Sequence, residues 1–242
     1  MWWNDAFEGE CDVAKKTALI IGASRGLGLA LVKQYLARDW HVVATARERS
    51  ASALHELAER SCGHLEVERL DITDTNQMLV LRRRLQNREF DLLFVNAGVA
   101  NDRHETIGDV ATEEFVRVMV TNALSPMRIV ENFATNVVAN GTIGVMSSGQ
   151  GSVANNETGG FEVYRASKAA LNTLMRSFAA RHSQDNRALL LIAPGWVRTD
   201  MGGAEARYSI EESIPRVVDT INAQANKRGL QYLDQFGQVV RW

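Results

Sequence analysis

The chain is poor in the residues that build covalent or metal-held frameworks. It has two cysteines, Cys11 and Cys62, far apart in its 242 residues. Two thiols so separated match no metal spacing and make no disulfide scaffold, which points to a reduced, cytoplasmic setting. The five histidines are scattered. His55-Glu56-Leu57-Ala58-Glu59 opens like a metalloprotease helix, but Glu59 stands where the second histidine must be. We expect no metal site. Excess charge of one sign is missing too: 27 Lys and Arg face 29 Asp and Glu, a net charge of −2. General nucleic-acid binding needs a basic face, and Arg82-Arg83-Arg84 reads as a solvated helix surface. No apolar run approaches the roughly 20 residues of a membrane helix, so no membrane partner is expected. Residues 1–14 lack a cationic stretch followed by an apolar run, so they read as a flexible N-terminal extension rather than a secretory signal. The G-x-S-x-G signature of hydrolases is absent, since Val145 stands two before Ser147 and Met146 two before Ser148.

What is present has the balance of a globular protein, 45% hydrophobic and 23% charged, at a length suited to one α/β domain over 15–242. Short apolar, β-branched runs at 17–21, 41–46, 65–70, 92–96, 142–146 and 188–193 read as buried parallel strands. Helical patterns lie between them at 27–38, 52–60, 75–86, 112–137 and 164–181, and a last short strand is expected near 231–233. The region 199–225 reads as mostly helical after a loose Gly202-Gly203 start. This alternation predicts a single-domain, Rossmann-like, doubly wound parallel sheet with helices on both faces and ligands at the carboxyl ends of the strands.

Strand one runs into Gly22-Ala23-Ser24-Arg25-Gly26-Leu27-Gly28 and then a helix. Glycines there permit a tight turn and close approach of backbone, and a helix N-terminus offers free N–H groups to a pyrophosphate. The spacing G-x-x-x-G-x-G differs from the common G-x-G-x-x-G, but its place after strand one is the one a dinucleotide site requires. An NAD site wants an acid at the end of strand two to hold the ribose 2′-hydroxyl. Here the chain reads Ala44-Thr45-Ala46-Arg47. Arg47, with Arg25 from the glycine loop, suits a 2′-phosphate, so NADP(H) is favoured over NAD(H).

Tyr164 and Lys168 are four apart, on one face of a helix. A phenol with reference pKa about 10 is a poor acid or base at neutral pH, and a neighbouring cation lowers it. Ser147-Ser148 lies just upstream. Taken singly these residues have ordinary readings: serines after a strand cap turns, Asn122 in a helix bonds locally, and Asp71 could cap the next helix.

The set in order resembles the short-chain dehydrogenase/reductase family over nearly the whole chain. The pieces are the glycine loop, Asp71-Ile72, Asn96-Ala97-Gly98, Asn122, Ser148, Tyr164, Lys168 and Pro194-Gly195-Trp196-Val197-Arg198-Thr199. Within the family it is most similar to the branch of sniffer-type carbonyl reductases and bacterial C-factor proteins, on Ser147 to Ser152, Asn155-Asn156, Gly159-Gly160, Tyr164 to Asn172 and Thr199 to Gly203. The resemblance implies an NADP-dependent oxidoreductase moving a hydride between nicotinamide and a small carbonyl or alcohol. Tyr164 would be the general acid/base, Lys168 would hold the nicotinamide ribose and lower the Tyr164 pKa, Ser148 would bind the substrate oxygen, and Asn122 would hold a relay water. Cofactor contacts would come from Gly22, Ser24, Arg25, Gly26, Leu27, Gly28 and Arg47. Asp71 and Ile72 would meet the adenine, Asn96, Ala97 and Gly98 would shape the pocket, and Pro194, Gly195, Val197 and Thr199 would hold the carboxamide. Phe161, Trp196 and Met201 are the candidate apolar substrate contacts beside Ser148 and Tyr164, and a neutral, apolar aldehyde or ketone is the preferred substrate. Pairing through the long helices would make a homodimer or homotetramer. The alternatives are a cofactor-binding regulatory protein of the C-factor type and a Rossmann-like methyltransferase, which would leave Tyr164 and Lys168 unexplained.

Overall fold

Apolar runs too short for helices form the strands of the computed structural model, which describes residues 15–47 and 53–242. The extension 1–14 with Cys11, and Ser52 of the expected second helix, lie outside the described residues. Among those described, β1 (Thr17–Ile21), β2 (His41–Ala46), β3 (Leu65–Arg69), β4 (Phe90–Val95), β5 (Val137–Met146), β6 (Ala188–Ala193) and β7 (Gly229–Asp234) form one sheet in the order β3-β2-β1-β4-β5-β6-β7. Every pairing is parallel. The order reverses between β1 and β4, and at such a switch point a crevice opens beyond the carboxyl ends of the strands.

Successive strand residues point to opposite faces, and helices cover both. α1 (Gly26–Leu36), α2 (Ala53–Glu59), α3 (Thr75–Arg84), α4 (Thr112–Met119), α5 (Ser125–Phe133), α6 (Glu162–Arg181) and α7 (Ile210–Ala223) supply the covering side chains. On one side Leu19, Leu93, Val145 and Leu191 join a core with Phe133, Met175 and Phe178. On the other, Ile20, Phe94 and Leu190 join Leu31, Val217 and Ile221. Each such side chain, fully buried, contributes roughly 1.5–3 kcal/mol relative to exposure. No helix among the described residues is long and apolar enough to cross a membrane.

The stretch expected as one helix over 112–137 is broken. α4 passes into a π-helical segment, Val120–Leu124, before α5, and a 3-10 turn, Ala134–Asn136, follows. Pro126 in the first turn of α5 has no N–H to give the carbonyl of residue 122, so the regular ladder cannot run through this turn. Val137 belongs to β5, where it pairs with Phe90 ahead of a register shift. The region expected as mostly helical over 199–225 is helical only in α7. A capping box starts that helix: Ser209 Oγ accepts from the Glu212 N–H at 3.1 Å and Glu212 Oε2 from the Ser209 N–H at 2.7 Å. Residues 199–209 form an irregular loop, turned by Thr199, whose Oγ1 accepts from Gly202 N–H at 3.0 Å and whose carbonyl accepts from Gly203 N–H at 2.9 Å.

Candidate active site

β1 ends in a turn that only glycine fits. Gly22 sits at φ +83, and an added Cβ would lie 2.7 Å from that of Ala97. Its N–H donates to Thr45 Oγ1 at 3.0 Å, and its carbonyl accepts from Asn96 Nδ2 at 2.8 Å. Asn96, at the end of β4, thus clamps the loop. Gly28 plays another part: a Cβ there would stand 2.1 Å from the Gly22 carbonyl oxygen and 2.6 Å from Asn96 Nδ2. It lies beneath the loop, lets α1 approach β1, and is not in the cavity wall. Before Gly26, an added Cβ would meet nothing within 4 Å. No side chain caps the start of α1, so its free N–H groups and partial positive charge are available to an anion.

A cavity of about 890 Å³ extends from this turn. Ser24, Arg25, Gly26 and Leu27 wall it at the glycine loop, Arg47, Asp71 and Ile72 at the ends of β2 and β3, and Asn96, Ala97 and Gly98 beyond β4. Pro194, Thr199, Met201, Tyr164 and Lys168 complete it at the other end. An open, uncapped helix N-terminus between two arginines fits a phosphorylated dinucleotide. Arg25 is ion-paired with Asp200, but their side chains are 70% and 80% exposed, so the pair is weak and a 2′-phosphate can displace it. Asp71 does not cap α3. Its Oδ1 accepts from the Thr73 N–H at 2.8 Å and the Thr73 hydroxyl at 2.7 Å, and Asp74 caps the helix instead. Among the described residues no group of His, Cys, Asp or Glu is placed to hold a metal.

At the chemical end, α6 stacks Tyr164 one turn from Lys168, whose Nζ lies 5.8 Å from the phenol ring centroid. Lys168 is buried and donates to the Met146 carbonyl at 2.9 Å. Burial pushes its ammonium down to about 8. Burial also pushes the Tyr164 phenol up to about 12, against the lowering effect of a hydrogen bond with Ser148. In this geometry desolvation of the phenolate prevails at Tyr164, and the Lys168 ammonium is committed to the Met146 carbonyl.

The two serines separate cleanly. Ser147 is buried and donates to Asn172 Oδ1 at 2.6 Å, so its hydroxyl is turned inward although the residue forms part of the cavity wall. The Ser148 hydroxyl accepts from Gln150 N–H at 3.2 Å and is near enough to the Tyr164 phenol to lower its pKa, while Ser148 itself stands outside the wall of the large cavity. Asn122, in the π segment, is fully buried. Its Oδ1 accepts from Val99 N–H at 2.8 Å, and its Nδ2 donates to the Val99 carbonyl at 2.8 Å and to Ser167 Oγ at 3.0 Å. A Cβ built on Gly98 would lie 3.4 Å from Asn122 Oδ1 and 3.5 Å from Lys168 Nζ, so both groups converge on this one backbone segment.

The remaining expected contacts are spread around the rim. Phe161, at φ 54, stacks on Tyr164 with centroids 4.7 Å apart, and Trp196 donates from Nε1 to the Gly202 carbonyl at 2.8 Å. Neither lines the large cavity, whereas Met201, 40% exposed, does. Gly195 and Val197 also lie outside its wall: Gly195 packs against Tyr208 and Gln235, and Val197 is buried in a bridge to Tyr208. Arg198 is committed to the carbonyls of Ala206 and Arg207 and to Glu212. Two neighbours escaped the sequence reading. Arg103, from the loop after β4, donates to the Gly202 carbonyl at 3.3 Å and lies over the Phe161 ring at 5.9 Å. Tyr232, from β7, donates its hydroxyl to the Ser148 carbonyl. Neither carries a periodic or motif signal; only the folded contact reveals them.

The fold and cavity define a dinucleotide-binding α/β oxidoreductase. Residues 16–208 match the model of the short chain dehydrogenases, and the chain belongs to that family. It is 56% identical to a short-chain dehydrogenase/reductase of Burkholderia multivorans solved with bound NADP, over 94% of this chain and all of that one, with a TM-score of 0.93. It is 34% identical to a carbonyl reductase of Pseudomonas aeruginosa PAO1 in complex with NADP, over 95% of this chain and all of that one, at a TM-score of 0.88. The C-signal protein of Myxococcus xanthus is 34% identical over 157 residues, 63% of this chain and 92% of its own.

Proposed function

We propose that residues 15–242 act as one unit, an NADPH-dependent carbonyl reductase with Tyr164 as proton donor. The observation that carries this reading is the junction of two features in one cavity: an uncapped helix N-terminus flanked by Arg25 and Arg47, and Tyr164 beside Lys168, with Ser148 next to the phenol just outside the cavity wall. The NADP-bound relatives support the cofactor. When bound, the cofactor supplies the hydride to the carbonyl carbon. The residues of the chain do the rest. Ser148 Oγ donates to the substrate oxygen and stabilises charge developing on it. Tyr164 Oη holds the proton that this oxygen receives. The phenol, raised to about 12 by burial, is protonated at neutral pH, the form that can give a proton to the substrate oxygen. Lys168 Nζ, bonded to the Met146 carbonyl beside Tyr164, would hold the ribose hydroxyls. Asn122 fixes the Val99 segment and Ser167 on α6, and through them the spacing of the site. Gly22, Gly26 and Leu27 would hold the pyrophosphate, and Asp71 and Ile72 the adenine.

Met201 in the cavity wall and Phe161 stacked on Tyr164 support an apolar substrate end, and Arg198 is occupied by its own loop, so neutral aldehydes and ketones are the favoured substrates. The two cysteines without a disulfide framework support a cytoplasmic location, and the family resemblance supports a homodimer or homotetramer. The test is NADPH oxidation against a panel of aldehydes and ketones, run beside NADH and with Tyr164→Phe as control. Turnover with NADPH that Tyr164→Phe abolishes is expected. Undiminished turnover in that variant removes Tyr164 from its role, and tight NADPH binding without turnover on any carbonyl would favour a regulatory protein.

A further inference from the structure

Ser148 sits at the junction of β5 and a single 3-10 turn, Gly149–Gly151. A single short turn, exposed at Gly149 and buried at Gly151, is by itself a loose mount for a hydroxyl that must meet a substrate oxygen within a few tenths of an ångström. The structure shows what stiffens it. Behind the turn lies a buried polar cluster drawn from three elements. Tyr232, from β7 and 1% exposed, donates its hydroxyl to the Ser148 carbonyl. Ser147 Oγ donates to Asn172 Oδ1 at 2.6 Å, and Asn172 Nδ2 donates to the Gly151 carbonyl at 3.2 Å. Both ends of the turn are therefore held, Ser148 by β7 and Gly151 by α6.

The C-terminal segment reinforces the first of these anchors. The Trp242 ring lies tilted against Tyr232 with centroids 5.6 Å apart, beneath the Arg176 guanidinium at 4.8 Å. The Trp242 carbonyl accepts from Ala154 N–H at 2.9 Å, and Arg241 Nε donates to Asn155 Oδ1 at 2.8 Å. The Tyr232 ring thus has apolar packing on one side and a fixed hydroxyl on the other. A buried hydroxyl that meets a carbonyl rather than water constrains that carbonyl strongly, because the alternative leaves both groups unpaired.

We propose that Tyr232 is a positioning residue for the reaction: its hydroxyl fixes the backbone of Ser148, and so aims the Ser148 side chain at the substrate oxygen and Tyr164. The inference rests on the reading of Ser148 and Tyr164 as the substrate-oxygen pair. Tyr232 itself touches neither substrate nor cofactor. Its effect passes through Ser148, and that makes it separable from general stability.

The test is a double-mutant cycle between Tyr232→Phe and Ser148→Ala, with kcat and KM for a carbonyl substrate, NADPH affinity by fluorescence quenching, and melting curves for each protein. Tyr232→Phe keeps the ring and its packing, and kcat values are compared at a temperature where all four proteins are folded. Loss of one hydrogen bond that orients a catalytic group predicts a fall in kcat of about tenfold, with the NADPH dissociation constant unchanged within about twofold. In the Ser148→Ala background, where no hydroxyl remains to aim, the further change should vanish. A Tyr232→Phe enzyme with wild-type kcat overturns the proposal, and so does a loss of equal size in both backgrounds, which would mark Tyr232 as merely structural. Retained activity in Ser148→Ala or Tyr164→Phe would instead overturn the underlying reading of the site, so the two failures are distinct.

Discussion

Replacing Asn122 by leucine tests whether the π segment is a structural brace at the site. Asn122 is wholly buried and makes three hydrogen bonds, two to the Val99 backbone and one to Ser167. Leucine keeps the branching but is larger than asparagine, so no cavity is left and any packing cost comes from crowding. Each lost bond removes about 1 kcal/mol, and a buried amide or carbonyl left without a partner costs about 1–3 kcal/mol. The Val99 groups line the cavity and can turn to water, so the loss is that of three bonds, about 3 kcal/mol of folding stability. For a chain of this size that is a fall in melting temperature of about 6–12 °C. Urea unfolding followed by circular dichroism, with unchanged m-value, measures the first quantity, and calorimetry the second. Activity should fall at least about tenfold at a temperature where the variant is folded, since Gly98 and Val99 lie between Asn122 and Lys168. A stability change below about 0.5 kcal/mol, the size of an ordinary surface substitution, would refute the brace.

Three further outcomes follow from the same geometry. Gly28→Ala forces a Cβ to 2.1 Å from the Gly22 oxygen, so the loop must shift. NADPH affinity should drop by at least about a hundredfold by calorimetric titration, well beyond the ordinary cost of a methyl group. Arg47→Ala should weaken NADPH binding by about 1.5–3 kcal/mol, the worth of a charge-assisted bond, and leave NADH nearly unchanged. Equal losses for both cofactors would remove Arg47 from the 2′-phosphate. Lys168 sets the pH response. Its folded pKa is lowered to about 8 from 10.5, so the unfolded chain holds the extra proton between these values. Its contribution to stability therefore rises as pH climbs through that window and is least below pH 8. NADPH affinity should move the opposite way and weaken above pH 8 as the ammonium is lost, and Lys168→Met should flatten that dependence in a fluorescence titration.

Much of this protein is written locally. Runs such as Leu-Leu-Leu-Ile in β6 and Val-Val-Ala-Thr in β2 are apolar on both faces because helices cover both, so their strand character and parallel pairing are legible from composition alone. The Gly22–Gly28 turn is legible for the same reason: its glycines answer steric demands set by neighbours within a few residues and by the strand-to-helix geometry. The Tyr164/Lys168 spacing follows from the helical repeat. What escaped depends on partners far away in the chain. The serine pair is divided in the sequence only by resemblance, in favour of Ser148, since Ser147 turns inward because Asn172, 25 residues on, accepts its hydroxyl. The π segment is held by bonds from Asn122 to Val99 and Ser167, beside the break that Pro126 makes in the ladder, and the loop over 199–209 is tied to the rest by Arg103 at the Gly202 carbonyl. Burial, a property of the whole packed site, holds the Tyr164 phenol above its ordinary value. Tyr232 reaches Ser148 across 84 residues. Short-range sterics and periodicity are read directly from a sequence; hydrogen bonds, desolvation and the aim of a hydroxyl exist only once distant segments have packed together.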